Sequence, residues 1–129
     1  MQIFKKVITV SQDDLDQLNH VNNVRYVQWV QDIAEAHWLQ NATKDILDHY
    51  FWVLISHEID YKDQALLGDQ LIIKTFVIKS EGITSEREVE IINMSTNKII
   101  VKSLTKWCLM STATKRPTRI TNEISKLFD

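Results

Sequence analysis

The residues best suited to chemistry lie in one short segment, Asp13-Asp14-Leu15-Asp16-Gln17-Leu18-Asn19-His20-Val21-Asn22-Asn23. A carboxylate and an imidazole placed together supply a candidate base or nucleophile and a polar partner. A helical pattern starts at Asn22 or Asn23, so this segment abuts a helix N-terminus. Such an end presents unpaired backbone N–H groups and about half a positive charge, which suits a developing oxyanion. Read from residue types alone, the segment is first of all a polar turn followed by an N-cap, because Asp and Asn favour both.

The elements that must position these residues follow from periodicity. Tyr26, Trp29, Val30, Ile33 and His37 recur at helical spacing, as do Val27, Val30, Ala34 and Trp38. The pattern predicts a helix running to about Asn41, apolar on more than one face and so largely enclosed. A strand is expected over residues 3–10 and a short helix over Lys44–Tyr50. Four β-rich runs follow: Phe51–Tyr61, Leu71–Lys79, Ser85–Met94 and Ile99–Met110. Glu81-Gly82 and Ser95-Thr96-Asn97-Lys98 are breaks short enough for hairpins. In the last run Ile99, Val101, Thr105, Trp107 and Leu109 alternate with Lys102 and Lys106, as in a half-buried antiparallel strand. The expected class is α+β, an antiparallel sheet of about five strands wrapped around one long central helix, with residues 1–129 as a single domain.

Composition excludes several chemistries. The chain has two glycines and one proline. Gly68 and Gly82 are too far apart to write a phosphate-binding loop, a dinucleotide fingerprint or a serine-hydrolase elbow. Asn and Asp must do most of the turning. The net charge of −2 gives no basic field for nucleic acid, and none is expected as a partner. Cys108 is the single cysteine, so neither an internal disulfide nor a Cys-rich zinc site can form. His20, His37, His49 and His57 include no pair at the spacing of a helical zinc motif, and no metal or cofactor is expected. No apolar run is long enough to span a membrane, and Met1-Gln2-Ile3-Phe4-Lys5-Lys6 does not open a signal peptide. A cytoplasmic location is expected. His37 reads as a satisfied core histidine, and Trp29, Trp38, Trp52, Trp107 and Cys108 read as packing residues. Lys115, Arg116 and Arg119 read as a solvated basic tail or as a contact for the phosphates of a ligand.

The run Asp14-Leu15-Asp16, His20-Val21-Asn22-Asn23-Val24-Arg25-Tyr26 and Trp29 resembles the signature that opens the central helix of hot-dog-fold acyl thioesterases. It is similar to the plant acyl-ACP thioesterases and to the bacterial 4-hydroxybenzoyl-CoA thioesterase-like group. Glu58-Ile59-Asp60-Tyr61, Gly68-Asp69 and Lys115-Arg116-Pro117-Thr118-Arg119-Ile120 resemble later blocks of the same family in the same order. The resemblance implies a hot-dog fold and hydrolysis of an acyl-CoA, or of an acyl carrier protein thioester. A non-catalytic acyl-thioester binding module is the alternative. It implies Asp16 as general base or nucleophile and His20 as the motif histidine. Asn19, Val21, Asn22, Asn23 and Tyr26 would bind substrate or support the site. It also implies a homodimer, or a tetramer built from dimers. The chain departs from the pattern at five places. Asn19 stands where many relatives have Gly, and Leu18 where the plant enzymes have a catalytic Asn. Gln31-Asp32-Ile33-Ala34 keeps one acid and lacks the helix Arg, and Gln64 and Thr121 replace prolines.

Overall fold

The computed structural model describes residues 1–129. Strand β1 (Phe4–Thr9) leads through a 3-10 turn (Gln12–Asp14) and the acidic loop into helix α1 (Asn23–Asn41). Helix α2 (Lys44–His49) follows, then β2 (Tyr50–Tyr61), β3 (Gln70–Glu81), β4 (Thr84–Asn93), β5 (Ile99–Ser111) and helix α3 (Asn122–Lys126). The five strands form one antiparallel sheet in the order β1-β3-β4-β5-β2, and α1 packs on one of its faces. This is the hot-dog fold expected from the sequence.

Strand alternation decides which side chains meet α1. On β4, Ser85, Arg87, Val89, Ile91 and Asn93 are buried, while Glu86, Glu88 and Glu90 point to the opposite face. There the register sets Glu90 between Lys74 and Lys102, and Glu86 beside Lys106, so the outer face is a ladder of opposite charges. The inner face meets Tyr26, Val30 and Ile33 of α1 in a core completed by Leu71, Ile73, Val89, Ile91 and Val101. A second core gathers Trp38, Ile46, Leu109, Ile124 and Phe128 around the C-terminal half of the helix.

Turns fall where the few special residues allow them. Gly82 (φ 63°) closes the β3–β4 hairpin, and Asn97 (φ 61°) takes the left-handed position before β5. Gly68 (φ 84°) turns the chain into β3, and its amide donates to the Val10 carbonyl at 3.0 Å.

Three expectations need correction. The central helix is not largely enclosed: Val24, Gln28, Asp32, Glu35 and Leu39 form an exposed stripe along it. One sheet face can cover only one side of a cylinder. Ile99 is exposed rather than inward, because a register shift between Ile91 and Ile92 puts Ile100 in the core instead. The C-terminal basic segment keeps Lys115, Arg116 and Arg119 exposed, as a solvated segment should, but its backbone is an ordered return rather than a tail. Thr118 and Ile120 donate to the carbonyls of Leu109 and Gly82 at 2.9 and 2.8 Å. Thr121 then caps α3, which buries Ile124.

Candidate active site

The acidic loop is a small hairpin built on α1. Leu15 and Val21 form an isolated antiparallel bridge. The Asp16 amide donates to the His20 carbonyl at 2.7 Å, and the Asn22 amide to the Asp14 carbonyl at 2.9 Å. Asn19, at the tip, has φ 63°, a conformation that Asn tolerates better than most residues.

The Asp16 carboxylate helps to fold this loop. Its Oδ1 accepts from the backbone amides of Leu18 (2.8 Å) and His20 (3.1 Å). Its Oδ2 takes no part in these bonds. A carboxylate with one oxygen anchored and the other free is held in one orientation and keeps a lone pair for a water or an electrophilic carbon. His20 meets Asp16 through its backbone, not its ring: no hydrogen bond joins the imidazole to the carboxylate. Both side chains are half-buried, and Leu18 is exposed.

The helix start is tied to the same loop. Asn22 is the N-cap, its Oδ1 accepting from the Val24 amide at 3.0 Å and its carbonyl from the Arg25 amide at 2.8 Å. The Asn23 amide lies outside these bonds, a first-turn donor at the positive end of the helix. Arg25 binds back to Asp14 at 3.0 Å and to the Asp13 carbonyl at 3.3 Å, fixing the loop from its other side. Val21 and Tyr26 are buried and belong to the supporting core. The Tyr26 hydroxyl accepts from the buried Ala65 amide at 3.0 Å, which ties the helix to the loop before β3. Burial raises the Tyr26 pKa, keeping the phenol neutral.

The acidic loop lines neither of the two main concavities. One is a polar cleft between α2 and the C-terminal return. The other, about 580 Å³, lies under the C-terminal half of α1 and is mostly apolar. Trp38, Trp52 and Trp107 line it, so these tryptophans are not packing residues alone. Arg87 lines it too, a residue that composition and spacing did not single out. The signal was present in the alternation of β4, which sets Arg87 on the same face as Val89 and Ile91. His37 is buried as expected. Its Nδ1 accepts from Arg87 Nη1 at 2.9 Å, which assigns the proton to Nε2, 2.6 Å from Gln2 Oε1. Burial, and then the Arg87 charge, lower the His37 pKa to about 4. His57, on the inner face of β2, has its Nε2 2.7 Å from Ser103 Oγ, and burial lowers its pKa.

The family model described as the acyl-ACP thioesterase N-terminal domain matches residues 1–128. No curated protein sequence matches the chain. Among solved structures, a 1,4-dihydroxy-2-naphthoyl-CoA thioesterase from Synechocystis superposes with a TM-score of 0.85 at 14% identity, covering 98% of this chain and 96% of that one. A probable thioesterase from Escherichia coli superposes at 0.83 with 23% identity, covering 95% and 94%. The 12:0-ACP thioesterase from Umbellularia californica superposes at 0.84 with 15% identity, covering 98% of this chain but 51% of that one.

Proposed function

The chain belongs to the acyl-ACP thioesterase family, matched through its N-terminal domain, and from that membership we propose that it hydrolyses an acyl thioester, an acyl-CoA, to the free acid and CoA thiol. Residues 1–129 act in this reading as one cytoplasmic catalytic domain. The observation that carries it is the Asp16 carboxylate, anchored through Oδ1 and free at Oδ2, in a loop hydrogen-bonded to the start of α1.

In the proposed reaction the thioester carbonyl docks at the amino end of α1. The Asn23 amide and the helix dipole stabilise the oxyanion as the tetrahedral centre forms. Asp16 Oδ2 takes a proton from water as the water oxygen bonds to the carbonyl carbon. Alternatively Oδ2 bonds to that carbon itself, giving an anhydride that water then opens. In both routes the C–S bond breaks and the thiolate leaves to take up a proton. His20 orients a reactant, and Asn19, Asn22 and Asn23 hold the loop and the cap. No metal or redox cofactor is required by this chemistry.

The assembly proposed with this reading is a homodimer or a tetramer built from two dimers. Two features support it: β2 is a twelve-residue edge strand with one side unpaired, and α1 leaves an exposed stripe. The Asp16→Asn variant tests the chemistry. It should fold and lose most thiol release from acyl-CoA; full activity would remove Asp16 from the mechanism.

Two other readings have specific support. The family description favours an acyl carrier protein as the thiol partner. The absence of an imidazole–carboxylate contact, with Leu18 in place of an Asn, favours a module that binds acyl thioesters without turnover. Comparing thiol release from acyl-CoA and acyl carrier protein substrates separates all three.

A further inference from the structure

Arg87 is a buried cation with no counter-charge. It is 5% exposed, and no carboxylate lies within ion-pair distance of it. Its Nη1 donates to His37 Nδ1 at 2.9 Å and to Thr75 Oγ1 at 3.0 Å, both neutral acceptors. The Phe128 ring lies 5.2 Å from the guanidinium carbon. Nε and Nη2 take part in none of these hydrogen bonds. No fully buried side-chain nitrogen or oxygen in the chain lacks a partner, so these two nitrogens retain some accessible surface, and Arg87 lines the apolar cavity.

Burying a guanidinium without an anion is costly, and the cation–π contact offsets only part of that cost. Its planar fork matches a carboxylate with two parallel hydrogen bonds. Around it, Trp38, Trp52, Trp107, Leu47 and Phe128 give the cavity apolar walls. About 580 Å³ falls in the range of small-molecule sites. Glu35 is the carboxylate among the lining residues, and it is solvent-exposed on α1. His37 is held neutral beside the arginine, so it does not compete as a cation.

We propose that this cavity binds an apolar chain ending in a carboxylate, with the acid end leading inward to Arg87 and the chain lying along the three tryptophans. The acid has two sources, the distal carboxylate of a dicarboxylic monothioester substrate or a released product acid. Choosing an acyl group as the ligand rests on the thioesterase reading; the anion site itself does not. The cavity begins at Gln31, about 12 Å along α1 from Asn23, so it is separate from the Asp16 loop.

The test is a binding titration of the whole protein, read from tryptophan fluorescence and calorimetry, with decanoate and decanamide as probes. Decanoate should bind about ten- to a hundredfold more tightly, the ratio set by charge-assisted hydrogen bonds. Arg87→Met should abolish the preference, and Arg87→Lys should restore part of it. Equal affinities in the wild type, or no binding of either probe, would overturn the proposal even if Arg87→Met fails to fold. A kinetic arm separates the sources. A higher kcat/KM for an ω-carboxyacyl-CoA than for the plain chain, lost in Arg87→Met, assigns the site to substrate. Competitive inhibition by decanoate, lost in the same variant, assigns it to product. Because binding is read without turnover, an inactive protein that prefers decanoate would sink the Asp16 chemistry and keep this site. An active one without the preference would do the reverse.

Discussion

Replacing Asp16 separates its two jobs, folding the loop and doing chemistry. In Asp16→Asn a carbonyl oxygen still stands where Oδ1 accepts from Leu18 and His20 at 2.8 and 3.1 Å. The two bonds change from charged to neutral acceptors, each weaker by about 1 kcal/mol or less on a half-exposed loop. The expected loss of stability is about 1–2 kcal/mol. Asp16→Ala deletes both bonds and should lose about 3 kcal/mol. A domain of this kind holds about 5–15 kcal/mol, so Asp16→Asn stays folded at assay temperature. The chemical loss is of another size. A positioned general base contributes about 10²–10⁴ in rate, or about 2.7–5.5 kcal/mol of activation free energy. Asp16→Asn should therefore lower kcat at least about a hundredfold while its urea midpoint moves only modestly. The measurements are thiol release on a panel of short, long and aromatic acyl-CoAs, and urea unfolding of wild type, Asp16→Asn and Asp16→Ala. Wild-type kcat in Asp16→Asn would refute the catalytic assignment. Equal destabilisation of the Asn and Ala variants would refute the claim that Oδ1 is held by the two amides.

Three further outcomes are expected. His20→Ala should lower kcat/KM with little change in stability, because its ring makes no hydrogen bond in the loop; unchanged kcat/KM would leave it a purely structural role. Tyr26→Phe should cost about 1–3 kcal/mol, because it strips the buried Ala65 amide of its acceptor; urea denaturation reads this directly, and a neutral result would mean that another acceptor reaches Ala65. His37 predicts a pH dependence. Its pKa is about 4 in the folded chain, lowered by burial and then by Arg87, against 6.5 as the ordinary value. The unfolded chain takes the proton first as pH falls, so His37 removes stability between about pH 6.5 and 4 and adds no slope below that. The loss integrates to about 3 kcal/mol, and His37→Gln should flatten the difference over that window in unfolding measured against pH. A variant with the wild-type slope would mean that the imidazole is not held neutral.

Much was legible before any coordinates. The helix from Asn23 to Asn41, its Asn22 cap, the hairpin at Gly82 and the five-stranded plan follow from local signals: side-chain period, capping chemistry and tolerance of positive φ. The Asp16–Asn23 segment was legible as a candidate site because its polar residues are contiguous and meet a helix start. Tertiary structure decided what depends on register and on distant partners. It assigned Asp16 Oδ1 to two amides of its own loop and kept the His20 ring off the carboxylate. It drew the C-terminal return over the second core, which no local period announces. It set Arg87 against His37, fifty residues away in sequence, at the edge of an apolar cavity. A period of two shows that Arg87 faces inward with Val89 and Ile91, but not what it meets there. Strand pairing and the packing of α1 and Phe128 determine that, and both join residues that sequence distance keeps apart.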